Sequence, residues 1–192
     1  MREAILIVTF WFVSGYALPI DKDYAYGKLQ KWTKCSFSYR IYDKYYLFRN
    51  EKDFLDSRRA IIKALNLWES ESKVIKFYEL SDQQLQPDID ITFAMKEHNC
   101  TEAFDGAGGI VAHSSYPPHG LIHFDAEEVW ALDDKGLNLS YVALHELGHV
   151  LGLKHSDESK SIMNPVYKNG ADKLSGQDIR RLRRLFSNCH RV

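Results

Sequence analysis

Two spacings of apolar residues alternate along the chain. From Ser36 to Tyr42, Phe37, Tyr39 and Ile41 fall at every second position, the period of a strand with one buried face. Asp88 to Ala94 repeats that period through Ile89, Ile91 and Phe93, and Val74 to Leu80 also reads as a strand. Asp53 to Glu69 switches to helical spacing, with Phe54, Ile61, Leu65 and Trp68 on one face. Residues 105 to 120 are rich in Gly and Pro and hold a short strand, Ile110 to Ser114, followed by another at Leu121 to Phe124. Two more helices are predicted, Asn138 to Leu151 and Ser175 to Phe186, the second opened by a capping box of Ser175 and Asp178. No repeat or low-complexity tract interrupts the series, so the expectation is one domain mixing α and β structure.

Composition narrows the class. The chain has 192 residues, 45% of them hydrophobic and 27% charged, which fits a folded domain and excludes disorder. Its net charge of −1 removes the electrostatic case for nucleic acid or an anionic membrane as partner. The apolar run Ile5 to Val13 is too short to span a bilayer but fits a secretory signal, and Gly15 and Ala17 suit cleavage after residue 17. A buried first strand is the other reading of that run. The signal reading leaves 18–192 as the mature domain and predicts a secreted, extracellular product with no stable membrane anchor. In an oxidising compartment Cys35 and Cys189 could pair, although spacing does not decide it. Asn99 and Asn138 lie in N-x-S/T sequons.

The chemistry concentrates at His145-Glu146-Leu147-Gly148-His149. Side chains four apart on a helix share a face, so the two imidazoles can grip one ion while the glutamate reaches a water on it. A solvated His/Glu helix face is the plainer alternative. Gly152 and His155 extend the pattern to H-E-x-x-H-x-x-G-x-x-H. In a continuing helix His155 would lie about 15 Å along the axis from His145. A left-handed glycine at 152 turns the chain back and lets His155 become a third ligand, with a fourth position open, the catalytic arrangement of zinc. Gly148 inside the helix costs about 1 kcal/mol against alanine, so something is expected to pack closely there.

HELGHVLGLKHS followed by Ser161-Ile162-Met163-Asn164-Pro165 resembles the zinc signature and Met-turn of the metzincins. Ser156 and Pro165-Val166-Tyr167 resemble one branch of them, the matrixins or matrix metalloproteinases, and the resemblance runs from about Lys31 to Phe186. It implies an α+β fold, the metzincin-like zincin catalytic domain: a twisted mixed sheet of about five strands with three helices. It implies a zinc-dependent endopeptidase in which His145, His149 and His155 hold the catalytic zinc, Glu146 is general base to its water, and Met163 forms the floor beneath the ion. His98, His113 and His123 match ligands of a structural zinc. Asp105, Asp125 and Glu128 match those of calcium, with the carbonyls of Gly106, Gly108 and Ile110. Cys100 stands where the family has an aspartate zinc ligand: its thiolate could complete the site, it could form a disulfide, or the site could be lost. A second calcium site is not expected, although Asp88 matches one contributor.

By the same resemblance, Ala112 on the edge strand, Tyr141, Pro165 and Tyr167 contact substrate, Tyr141 limiting the depth of the pocket beyond the scissile bond. Implied partners are extracellular protein or peptide substrates and protein inhibitors of metalloproteinases, with the chain itself a monomer. The roughly 15 residues that follow the predicted signal hold no cysteine and no Pro-Arg-Cys-Gly segment, so the expected form lacks the family's cysteine-switch propeptide and its hemopexin-like domain, and is active once secreted. Two other functions fit part of the pattern. A catalytically idle, metal-stapled peptide binder would need the ligands but not Glu146. A metal-stapled structural protein would use the first helix and the basic residues Arg180, Arg181, Arg183 and Arg184 as a docking face.

Overall fold

Every second residue of Ser36–Tyr42 turns inward as the alternation requires, and this strand, β1, lies near the middle of a five-stranded sheet. The computed structural model describes residues 31–82, 84–98, 100, 103–132, 136–168 and 173–189. The predicted signal at 1–17 and the Asn99 sequon lie outside them. The elements run β1, α1 (Glu51–Ser72), β2 (Lys76–Glu79), β3 (Ile89–Ala94), β4 (Ala112–Ser114), β5 (Leu121–Asp125), β6 (Trp130–Ala131), β7 (Leu137–Asn138), α2 (Leu139–Val150) and α3 (Gly176–Leu185). Sheet order is β2-β1-β3-β5-β4, with only β4 antiparallel to its neighbour. That is the expected mixed sheet of five strands with three helices. The pair β6–β7, joined at two positions each, is a small addition that alternation over two residues cannot announce.

α1 is longer than its apolar spacing suggested, because local chemistry sets its ends. Asn50 accepts a hydrogen bond from the Asp53 amide at 2.9 Å, an N-cap three residues before the start of the periodic stretch. Lys73, at φ 56°, closes the other end in the left-handed conformation and returns its amide to Glu69 O. Arg183 of α3 then donates to the carbonyls of Ser72 and Glu71 at 2.9 and 3.0 Å, taking up acceptors that the helix end leaves open. Arg181 likewise donates to Lys154 O and His155 O. Two of the four arginines considered as a docking face therefore serve the chain's own backbone.

Trp68, Phe37, Phe93 and Phe124 are among the largest fully buried side chains, and they fill the space between the sheet and the helices. α2 runs through that space with every residue from Leu139 to Val150 buried, so its polar residues must be satisfied from within. Asn138 is 3% exposed and caps α2 by accepting from the Tyr141 amide at 3.1 Å. A side chain so placed cannot carry a glycan in the folded chain. No helix among the described residues is long and apolar enough to cross a membrane. Cys35 and Cys189 form a disulfide that joins the start of β1 to the turn after α3.

Candidate metal centres

α2 carries His145, Glu146 and His149 on consecutive turns, all less than 10% exposed. After Leu151 the chain leaves the helix at Gly152, whose φ of 101° is the left-handed bend inferred from the spacing. That bend returns His155 to the helix. The Nε2 atoms of His145 and His155 each stand 3.1 Å from Nε2 of His149. Three nitrogens held at 2.0–2.1 Å around a tetrahedral zinc would lie about 3.3 Å apart, so the separation is that of a shared ion.

The tautomers follow from the other ring nitrogens. His145 Nδ1 meets Ile162 O at 2.7 Å, and His149 Nδ1 meets Leu153 O at 2.8 Å. A carbonyl only accepts, so Nδ1 carries the proton in both rings and Nε2 turns its lone pair inward. Lone pairs facing one another at 3.1 Å repel, and a cation between them resolves the arrangement. Burial, the leading cause, pushes His145 down to about 4 and His149 well below its ordinary value. Both therefore stand neutral and ready to bind metal at neutral pH.

The chain beyond these ligands is fixed from α3. Asp178, fully buried, accepts from Ser161 Oγ, from the Ile162 amide at 3.0 Å and from the Ser175 amide at 2.9 Å. It thus holds the residue whose carbonyl orients His145. The capping pattern announced Asp178 only as the start of a helix; its grip on 161–162 is a contact sixteen or more residues distant that no local signal carries. The neighbour anticipated at Gly148 is the side chain of Met163. A Cβ at 148 would sit 2.2 Å from Met163 Sδ and 3.3 Å from the Trp68 ring.

A second cluster lies across β4. His98 Nε2 and His123 Nδ1 each stand 3.2 Å from His113 Nε2, and Cys100 Sγ is 3.2 Å from His123 Nδ1. His98 gives its Nδ1 proton to Lys96 O at 2.6 Å, leaving Nε2 as a donor atom toward the cluster. All four ligand atoms lie within 4.8 Å of one another, a set fit for zinc. Cys100 stays out of the disulfide and faces this cluster. Burial first, and neighbouring histidines second, lower His113 to about 4 and His123 to about 3.

The acidic residues gather around the loop of Gly106 and Gly108, where both glycines have positive φ. Asp105 accepts from the Ile110 amide at 3.0 Å and Glu128 from the Gly108 amide at 2.5 Å. Asp125 is fully buried and uses one oxygen on the Glu127 amide, while its Oδ2, and Oε2 of Glu127, are buried without a partner. Burial, and behind it the charge of neighbouring carboxylates, raises Asp125 and Glu128. Orphaned buried carboxylate oxygens in an oxygen-rich loop suit a hard divalent cation such as calcium. Glu127 was not anticipated as part of this group. Asp88 is occupied elsewhere, accepting from Lys34 and from the amide and hydroxyl of Ser38.

Of the remaining positions, Ala112 is buried in β4 and Pro165 is half-buried. Tyr141 and Tyr167 form an edge-to-face pair with centroids 4.8 Å apart. Tyr167 OH accepts from the Asn138 amide at 2.7 Å and donates to Gly136 O at 2.9 Å. Burial raises Tyr141 to about 12.

The sequence profile of the matrixin peptidases matches residues 31–187. The chain belongs to the matrixin family. This matrixin is 41% identical to stromelysin-2 of Rattus norvegicus over 164 residues, 81% of this chain and 33% of that protein. It is 40% identical to macrophage metalloelastase of Oryctolagus cuniculus over 161 residues, with the same coverage of each chain. It is also 40% identical to stromelysin-1 of Rattus norvegicus over 163 residues. The chain spans about a third of the length of these relatives.

The buried histidines give the fold of the metal-stripped matrixin a defined response to acid. An unfolded histidine takes up its proton near pH 6.5, whereas His145, His113 and His123 do so only near 3 to 4. Between those values the unfolded chain binds more protons, so stability is constant above about 6.5 and is lost as pH falls toward 4. Asp125 and Glu128, raised by burial, act with the opposite sign. Thermal unfolding of chelator-treated protein is expected to show a melting temperature that drops from pH 6.5 to 5, the three buried histidines outweighing the two opposing carboxylates. A melting temperature that held or rose over that interval would contradict it.

Proposed function

We propose that this matrixin is a secreted zinc endopeptidase that hydrolyses extracellular proteins, exported by the signal at residues 1–17. The observation that carries the reading is the convergence of three Nε2 atoms at the helix that also holds the buried Glu146. His145, His149 and His155 would hold the catalytic zinc, and Met163 would be the residue of the Met-turn. Zinc there supplies Lewis acidity, polarising a carbonyl oxygen and lowering the pKa of water from 15.7 toward about 7. Glu146 takes the proton of the attacking water and passes it to the leaving amine, so no acyl-enzyme is required.

Substrate lies extended along β4, which pairs with β5 on one side and is the edge of the sheet among the described residues. Ala112 in β4 and Pro165 and Tyr167 beyond the Met-turn border the cleft. His98, Cys100, His113 and His123 hold a structural zinc that braces β4. Asp105, Asp125 and Glu128, with the carbonyls of Gly106, Gly108 and Ile110, hold calcium. Protein inhibitors of metalloproteinases would occupy the same cleft as substrate. An idle peptide binder would have no use for a buried carboxylate at 146, and nothing in the site favours that reading.

Metal dependence tests the proposal. Peptide hydrolysis by the purified chain is expected to vanish on treatment with a zinc chelator and return on adding zinc, with about two zinc ions bound per chain. Hydrolysis indifferent to chelation would sink it. The pocket makes a further claim. Tyr141 closes it with a ring that is 2% exposed and packed on Tyr167, so medium aliphatic side chains are preferred after the scissile bond. Tyr141→Ala is expected to shift that preference toward longer side chains by about tenfold in kcat/KM ratio, read by cleavage profiling of a peptide library.

A further inference from the structure

β4 is three residues long, and its alternation sends adjacent side chains to opposite faces. His113 points into the cluster with His98, Cys100 and His123. Ser114, the next residue, points to the other face and donates its hydroxyl proton to Glu146 Oε2 at 2.6 Å. Glu146 is 7% exposed, and the torsion that swings a glutamate carboxylate about its last bond is intrinsically broad. A short hydrogen bond to an ionised acceptor is among the stronger kinds and restricts that rotation.

We propose that Ser114 is a positioning residue for the hydrolytic reaction: it clamps the Glu146 carboxylate from the edge strand on which substrate is laid. The inference rests on the peptidase reading above and adds to it a member that is neither a metal ligand nor part of the H-E-x-x-H pattern. Its logic is geometric. The base must meet a water whose position the three histidines define, and the strand that aligns the peptide also holds the base. Substrate and proton acceptor thereby share one reference frame. Because Ser114 belongs to neither ligand cluster, its loss leaves metal binding intact and acts on the turnover step.

Steady-state kinetics of the zinc-loaded chain, with Ser114→Ala and Ser114→Thr beside it, test this on one extended peptide. Ser114→Ala is expected to lower kcat about tenfold with KM within twofold of the unaltered chain, at equal zinc content and melting temperature. Ser114→Thr keeps a hydroxyl in a strand position that favours β-branching and is expected to recover most of the loss. In a Glu146→Asp background, whose shorter carboxylate is withdrawn from the hydroxyl, Ser114→Ala is expected to add nothing. A Ser114→Ala chain as fast as the unaltered one would overturn the role of Ser114 and leave the peptidase reading standing. A tenfold loss that persisted in the Glu146→Asp background would also overturn it, marking a general disturbance of β4. An unaltered chain that hydrolyses nothing would fail the peptidase reading itself, and the clamp with it.

Discussion

Glu146→Ala is expected to cut peptide hydrolysis by about 10²- to 10⁴-fold while zinc content stays at the unaltered level. The separation of the two readouts comes from the geometry. In the proposed site zinc would be held by ring nitrogens whose outward protons go to Ile162 O and Leu153 O, and none of those contacts involves residue 146. The carboxylate sits between the two helical histidines in sequence and faces Ser114, so its removal takes away the proton acceptor without unseating a ligand. Glu146→Gln serves as the near-isosteric partner: it keeps the volume, loses the basicity, and is expected to be equally inactive. Metal analysis beside initial rates checks both. Activity within tenfold of the unaltered chain would place the base elsewhere.

Replacing both Cys35 and Cys189 with serine is expected to lower stability by up to about 5 kcal/mol. The bridge spans 154 residues, and the chain-entropy cost of closing so long a loop in the unfolded state sets that ceiling. A domain of this size has only about 5–15 kcal/mol to lose. The melting temperature should fall by about 10–20 °C at 2–4 °C per kcal/mol. The rest of the junction softens the loss, because Phe186 packs edge-on against Phe37 at 5.9 Å and accepts from the Cys189 amide at 2.9 Å without the bridge. Denaturant unfolding of the double variant beside the unaltered chain measures the difference. A change below about 1 kcal/mol would show that the unfolded chain is already held together there.

The parts of this molecule that sequence discloses are those governed by short-range periodicity. Alternation located β1, where Phe37, Tyr39 and Ile41 turn inward, and β3, where Asp90 and Thr92 interleave with Ile89, Ile91 and Phe93 although only Asp90 is less than buried. Four-residue spacing placed His145 and His149 on one side of α2. Gly152 could be assigned its bend because few residues tolerate that φ. Gly148 announced a neighbour without naming it; Met163 and Trp68 arrive from elements far away in the chain. Ser114, Asp178 and Arg181 escaped notice in their main roles for one reason. Their partners lie 32, 16 and 26 residues away, and nothing in a serine, aspartate or arginine tells which distant group it will meet. The Cys35–Cys189 bridge was open for the same reason, being a matter of where the two ends of the sheet and helix layers arrive.

That bridge also governs what damage to the chain looks like. Almost every described residue lies inside the ring it closes, so a single backbone cut at an exposed turn between β2 and β3 would produce no separate fragments. The halves would stay tethered, still interlocked by the shared sheet. A self-digesting preparation would run as one band until a thiol reductant was added, and only then as two.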